Sequence, residues 1–439
     1  MRLNKNAAGI NQRRFIFVLK LDVSEFQREY SRFIFPLMNG YHFDMIKTER
    51  QVDYMNQLFP GMLLRRERIH RNWSQEGLCR GICSVSYLSK IEQGKTEASP
   101  EILRLLFARL ELPWHDSPEE QKASADLVER FYEALLSYDP KLDEIRKEFS
   151  AQEDFLRTGP YALDAMLMQS FLTDPASPAD ESAEPYFDRR QLALQRILQD
   201  RNEEAMRLYP CAFVFLLAGI RVYERGENYA VALEYLRESY QRASEEGRAY
   251  VMMYSQLFMG NCYCNQVDLE NMRAHYRIAE RLAQAFGDMS TLSKIRYNTA
   301  SAQIEGGQYA EAYDYFSTLQ NPTMMDLHKL AVCCEKLGKR AEALNALVQA
   351  EKMESDYPPT QLARRMCGIV RFRLEHANYL RLPEYGEMLL SVFAECRKTL
   401  PIGYASFHLR WVLEWYTATR QYRLAYELSR DFPIRPQIK

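Results

Sequence analysis

The residues best suited to specific chemistry stand close together, between Arg65 and Glu92, within GMLLRRERIHRNWSQEGLCRGICSVSYLSKIEQG (61–94). Elsewhere the reactive residue types are scattered. The seven histidines (His42, His70, His115, His275, His328, His376 and His408) lack partners at catalytic or metal-binding spacing, and no HExxH or His-x3-His pair occurs. There is no Gly-rich phosphate loop and no nucleophile elbow. Nine cysteines, an odd number without paired-knuckle spacing, read as reduced and mostly buried thiols. Cys262 and Cys264, two apart on a helix, point to different faces. The expectation is therefore no enzyme, no metal and no cofactor. Segment 61–94 offers instead short polar side chains and cations at helical spacing, suited to the base edges and phosphates of double-stranded DNA.

Two short helices across a tight turn would position those groups. Ser74 is a natural N-cap for the first, with Gln75 and Glu76 in its opening turn and Leu78 facing inward. Gly81 makes the turn, Ile82 plugs the core, and Ser84 caps the second helix. Leu88 and Ile91 then face inward, leaving Val85, Ser86, Tyr87, Ser89 and Lys90 facing a major groove. Gln75, at a helix N-terminus, is placed to bond a phosphate. Arg65, Arg66 and Arg71 are candidate phosphate contacts, with ordinary solvated surface as the alternative reading. Ser99-Pro100-Glu101 opens a further helix, with proline at its first position.

Beyond Ser117 the pattern is helical, in stretches broken at Gly, Asp-Pro or Asn-Pro, and β-branched alternation is nearly absent. A spacing of 0, 3, 7, 10 recurs in Tyr229, Ala232, Leu236, Ser239, then in Leu269, Met272, Tyr276, Ala279, then in Tyr309, Ala312, Phe316, Leu319. Arg340, Ala343, Leu347, Ala350 continue it, and Tyr422, Ala425, Ser429 offer a fifth set. Each set is a stripe of small and large residues on one helix face, against which a preceding helix closes. Upstream helices end in glycine turns at Gly226, Gly306-Gly307 and Gly338. The units resemble degenerate tetratricopeptide repeats, whose first helix carries a small residue for close packing. The expected fold is all-α: an N-terminal helix-turn-helix domain and a C-terminal tetratricopeptide-like helical-repeat solenoid.

Charge and length agree with two kinds of unit. Residues 1–115 hold 18 Lys/Arg against 12 Asp/Glu, while the rest holds 39 against 47, a basic front on an acidic body. The expected domains are an N-terminal extension (1–54), a helix-turn-helix domain (55–116) and a repeat sensor (117–439) with a Pro- and acid-rich loop near 174–185. Met45 and Met55 make the extension a candidate addition to the natural product. Phe15–Leu21 is too short to span a membrane, and the reading of the cysteines as reduced thiols places the chain in a reducing cytoplasm.

The helix-turn-helix segment resembles the class of the lambda and 434 phage repressors in Leu64-Arg65, Arg68, Arg71, Ser74-Gln75, Leu78 and Leu88-Ser89-x-Ile91-Glu92-x-Gly94. Glu67 departs from it, standing where an aliphatic residue is usual. The turn Gly81-Ile82-Cys83 is one residue longer than the common form and resembles that of PlcR-type regulators. With the repeats, the chain resembles the peptide-responsive Rgg–Rap–NprR–PlcR–PrgX superfamily of Gram-positive bacteria. The resemblance implies a structural salt bridge between Arg68 and Glu92, a homodimer on an inverted-repeat operator, and a short peptide held in the repeat groove by asparagines. The groove-facing candidates are Arg221, Asn261, Asn265, Lys294, Tyr297, Asn298 and Ser301. Asn298 has a plainer alternative, the bridging of adjacent repeats. A repeat adaptor that dimerises or sequesters another protein is the rival reading of the whole.

Overall fold

The computed structural model describes residues 60–173, 181–226, 228–355, 358–400 and 402–432. The extension 1–54 and residues 174–180 of the acidic loop lie outside the described residues. Among those described, twenty-one α-helices and two short 3-10 turns account for the regular structure, and no strand occurs. The chain divides into two compact units between Val214 and Phe215.

Among the described residues the first unit starts with α1 (60–70), α2 (Gln75–Cys79), α3 (Val85–Glu92) and α4 (Pro100–Arg109). Side-chain caps set these starts. Ser74 accepts from the Gly77 amide, Ser84 from Tyr87 and Ser99 from Ile102, each meeting a helix N–H that has no partner inside its helix. Gly81 turns the chain between α2 and α3 at φ +74°, a conformation that favours glycine. Leu64, Leu78, Leu88, Ile91 and Leu106 close the core.

That core extends beyond the four helices. After α5 (Pro118–Ser137) and α6 (Leu142–Arg157), helix α7 (Ala162–Leu172) contributes Ala162, Leu163 and Leu167 to it. Ala183, in the 3-10 turn Glu181–Tyr186, and Phe187 join the same cluster. Asp164 ties α7 to its other neighbours: it accepts from the Tyr132 hydroxyl of α5 at 2.6 Å and from Gln191 Nε2 of α8 (Arg189–Leu198) at 2.7 Å. Helix α7 thus shares the core of α1–α4 and is bound by hydrogen bonds to the bundle behind. Helix α9 (Asn202–Leu208) follows, and α10 (Ala212–Arg225) crosses into the second unit.

The second unit continues as α11 (Tyr229–Glu246), α12 (Ala249–Asn265), α13 (Leu269–Phe286), α14 (Met289–Glu305), α15 (Tyr309–Ser317), α16 (Met324–Lys336) and α17 (Arg340–Glu351). It ends with α18 (Thr360–Glu375), α19 (Pro383–Thr399), α20 (Ile402–Ala418) and α21 (Tyr422–Asp431). Neighbours pack antiparallel: on α12 and α13, Gly260 meets Tyr276 while Tyr250 stacks on Phe286 at 4.3 Å. The 0, 3, 7, 10 stripes fall at these interfaces. Ala232, Leu236 and Ser239 are sealed, as are Met272, Tyr276 and Ala279, and then Ala343, Leu347 and Ala350. A small residue faces the large one: a Cβ on Gly219 would stand 2.8 Å from Leu236, and one on Gly260 would stand 2.2 Å from the Tyr276 ring. The stripe weakens at its edges. Leu319 follows the end of α15, Arg340 is exposed, and Tyr422 of the fifth set is 62% exposed.

Candidate nucleic-acid interface

Glu92, at the end of α3 and only 2% exposed, is the hub that fixes this helix. Arg68 on α1 grips it twice, Nε to Oε1 at 2.6 Å and Nη2 to Oε2 at 2.8 Å. Its third nitrogen donates to the Trp73 carbonyl at 2.8 Å, holding the α1–α2 connection. The Glu92 carboxylate keeps the Arg68 guanidinium above its ordinary pKa. Gln75 Nε2 adds a bond to Glu92 Oε2 at 2.8 Å. One carboxylate therefore joins α1, α2 and α3, and a fork-shaped guanidinium supplies the directionality. From α4, Arg109 donates to the carbonyls of Leu78 (3.0 Å) and Arg80, covering the end of α2.

On this frame, Leu88 and Ile91 are buried, while Val85 (43% exposed), Ser86 and Lys90 are open. Ser86 Oγ lies 3.1 Å from Ser84 Oγ. Ser89 accepts from Gln93 Nε2 at 3.0 Å and is half-buried. Tyr87 leans into the core edge, its hydroxyl donating to the Glu97 carbonyl at 3.3 Å. Gln75 stands at the α2 N-terminus, its amide nitrogen committed to Glu92. Arg65 is exposed, Arg66 pairs with Glu67 at 3.3 Å, and Arg71 lies 4.0 Å from Glu111. Glu67 is half-buried, and Ile69 beyond it is 53% exposed, so the buried part of α1 is its start, Pro60 to Leu64. Sequence reasoning missed Arg109 and the second role of Gln75. Both are long-range contacts without a local signature.

Three of the candidate groove residues, Asn261, Asn298 and Asn265, form two polar knots in the second unit. In one, Asn261 Oδ1 accepts from the Tyr276 hydroxyl (2.6 Å) and from Asn298 Nδ2 (3.1 Å), bridging α12, α13 and α14. In the other, Asn265 Nδ2 donates to the hydroxyls of Tyr229 (3.0 Å) and Tyr223 (3.4 Å). The Tyr297 ring meets Phe316 edge-on at 5.9 Å, and burial raises the affinity of its hydroxyl for its proton; Ser301 lies beside that hydroxyl. Lys294 and Arg221 are half-buried, and burial lowers the pKa of Lys294.

A feature not foreseen covers part of this face. Helix α20 returns to the first hairpins of the unit: Ile402 packs on Gly226, and a Cβ on Gly403 would stand 3.2 Å from Asn265 Oδ1. Further along, Phe407 lies edge-on to His328 at 5.8 Å and 3.0 Å beneath the Lys329 ammonium. The only sequence signal was an α20 that is apolar nearly all round, as buried helices are.

Among the described residues no group of three or more His, Cys, Asp or Glu side chains is placed to hold a metal ion. All nine cysteines are free, and burial pushes the thiols of Cys262 and Cys264 up to about 12. No described helix is long and apolar enough to cross a membrane. A Helix-turn-helix family matches residues 64–116, spanning the end of α1 through the segment after α4. No curated protein and no solved structure matches the chain.

Proposed function

We propose that this chain is a sequence-specific DNA-binding transcription regulator whose helix α3 reads base edges in the major groove. The observation that carries the reading is the rigid presentation of α3 within the helix-turn-helix match: Glu92 is locked by Arg68 and Gln75 while Val85, Ser86 and Lys90 stay open. Short side chains at the start of a helix let its backbone approach the bases, and Lys90 and Arg65 add phosphate contacts. Ser89 and Tyr87 flank the reading face. The proposed assembly is a homodimer on two half-sites about 34 Å apart.

The test is selection of genomic fragments by the full chain at near-physiological salt, followed by footprinting. An inverted repeat should be protected. Ser86→Ala with Lys90→Ala should remove its preference over random DNA while leaving salt-dependent background binding. Unchanged preference in that variant would take α3 out of the readout, and no enrichment at all would favour a repeat adaptor without DNA recognition.

The hairpins of the second unit are read as tetratricopeptide-like repeats that sense a short peptide. The supporting observation is that the Asn261–Asn298 knot leaves Asn261 Nδ2 and Asn298 Oδ1 without a hydrogen-bond partner among the described residues. One donor beside one acceptor is what a peptide bond requires. Asn265, Tyr297, Ser301, Lys294 and Arg221 would extend the row. Asn261→Ala with Asn298→Ala should abolish a saturable peptide effect on operator binding; a peptide effect that survives would move the site elsewhere.

A further inference from the structure

Two thiols meet in the turn that carries the chain from α2 into α3. Cys79 is the last residue of α2 and is 2% exposed, while Cys83, four positions on, is half-buried at the edge of the core. Both are free. The backbone closes the turn on itself: the amides of Ile82 (2.9 Å) and Cys83 (3.1 Å) both donate to the Cys79 carbonyl. The Cys83 and Cys79 thiols are within hydrogen-bonding reach of each other, and the Leu88 amide of α3 reaches the Cys83 sulfur.

Across one closed helical turn, Cα atoms four apart stand about 6 Å from each other, inside the span of a disulfide. Their Cβ atoms stand about 5–6 Å apart, roughly 1–2 Å more than a disulfide allows. Joining the sulfurs therefore tightens the turn. The α2 side is held, because Leu78 is sealed in the core and Arg109 donates to the carbonyls of Leu78 and Arg80. The Cys83 side has to give, and Ser84 moves with it. Ser84 Oγ accepts from the Tyr87 amide at 3.2 Å and its carbonyl accepts from Leu88 at 3.0 Å. Those bonds start α3, and the open residues Val85 and Ser86 follow directly. A bond between two sulfurs behind the turn thus acts on the face in front of it.

We propose that Cys79 and Cys83 are a reversible disulfide site that hydroperoxides close, and that closure loosens the start of α3 and lowers its hold on DNA. The site stands by itself; its effect on DNA rests on the reading of α3 given above. The Cys83 sulfur, as thiolate, attacks the hydroperoxide. The O–O bond breaks, the departing oxygen takes up the thiol's proton, and Cys83 carries a sulfenic acid. Cys79 then attacks that sulfur: S–S forms, S–O breaks, and the hydroxyl leaves as water with the Cys79 proton. Two electrons pass from the thiols to the peroxide, so hydrogen peroxide yields two waters. Cys83 is the sulfur met from solvent, and Cys79 has only to reach its neighbour, so its burial is no obstacle. Burial raises the pKa of the Cys83 thiol, Cys79 adds to the rise and the Leu88 amide opposes it. The reaction is therefore slow near neutrality and quickens as pH rises.

The experiment takes the reduced full chain, exposes it to hydrogen peroxide, quenches with iodoacetamide and digests with trypsin. Trypsin cuts after Arg80, so the disulfide shows itself as peptide 72–80 joined to peptide 81–90. The expected result is that joined pair, formed faster at higher pH and lost after dithiothreitol. Amide exchange at Tyr87 and Leu88 should quicken about tenfold in the oxidised chain, as for a lost cap. Operator affinity should fall by a similar factor and return on reduction. Cys83→Ser and Cys79→Ala should each remove the joined pair and leave operator binding indifferent to peroxide; agreement between the two separates this from harm that either does to the fold. Absence of the joined pair, or oxidation of Cys83 to a sulfinic acid ahead of it, would overturn the site. A joined pair with unchanged amide exchange and unchanged operator affinity would overturn its link to α3. If the reduced chain selects no operator, the DNA-binding reading fails by itself, and joined peptides with faster exchange still uphold the site and its link to α3.

Discussion

The two regions that carry polar chemistry treat their buried charges in opposite ways. In the helix-turn-helix, the buried carboxylate of Glu92 receives three hydrogen bonds, and Arg68 spends its guanidinium on Glu92 and the Trp73 carbonyl. Around Arg373 the terminal guanidinium nitrogens, the Tyr385 hydroxyl and the Trp415 N–H stay unmet, as do both ring nitrogens of His328. A satisfied network rigidifies what it holds, which suits a helix that must present an outward face unchanged. Glu335 Oε2, beside Arg373, is an unmet acceptor in the same interior, so donors and acceptors stay unmatched within one cluster. The first region is tied by matched hydrogen bonds; the second leaves buried polar atoms unmatched.

The largest expected effect would break the first half of this contrast by removing the support behind the display. A fragment ending at residue 116 loses Ala162, Leu163, Leu167 and Phe187 from its core. At about 1.5–3 kcal/mol for each large buried side chain, the loss rivals the whole stability of a small domain. Circular dichroism should find 55–116 largely unfolded and 55–210 folded; a cooperative melt for the shorter piece would show that α7 is dispensable.

Next in size is Arg68→Ala, which strands Glu92 in the core. About 3–5 kcal/mol should be lost from the first unit, read through Trp73 and Trp114 fluorescence in denaturant. A loss below about 1 kcal/mol would mean that the knot does not hold the frame.

The second half of the contrast is sharpened by pH. His408 is buried and neutral, its Nδ1 donating to the Tyr404 carbonyl at 2.7 Å, and burial with Lys329 and Arg373 nearby pushes its pKa down to about 4 from 6.5. His328, facing His408, Lys329 and Phe407, is also depressed well below its ordinary value, chiefly by burial. As pH falls below 6.5 the unfolded chain takes up protons first. The stabilisation is therefore complete above pH 6.5 and drains away toward pH 4, by roughly 3 kcal/mol for His408. Denaturation midpoints between pH 7.5 and 4.5 should fall steeply in the wild type and less in His408→Gln. Parallel curves would rule out this histidine as the source.

The smallest effect concerns the hairpin interfaces. Gly260→Ala drives a Cβ into the Tyr276 ring and should cost about 1–3 kcal/mol. Gly287→Ala, at φ +68° in open space, should cost about 1 kcal/mol from backbone strain alone. Equal costs would mean that the close approach of α12 and α13 is not tight.

What was legible in the sequence was local. Ser74, Ser84 and Ser99-Pro100 announce helix starts because a cap acts within three residues, and Gly81 announces its turn because few other residues adopt that φ. The Ala232–Leu236 and Met272–Tyr276 stripes were legible because helical periodicity repeats a burial pattern. The Gln75 bond to Glu92 spans 17 residues and the Arg109 bond to Leu78 spans 31, and side-chain type alone does not choose such a partner. The sharing of the helix-turn-helix core with α7 escaped for the same reason. Tyr87 was half legible: its place on α3 follows from period, but its bond to Glu97 depends on how the following segment folds back.

The return of α20 has a consequence for how the second unit comes into being. Hairpins that touch only their neighbours can settle one after another as they are made. Here Asn265 meets Gly403, and at the usual rates of synthesis the partner emerges on the order of ten seconds later. For that interval the face of α12 that carries Asn265 lacks its cover. The unit is complete only when a late segment closes on an early one, so the order of synthesis opens a window in which another molecule has first access to that face.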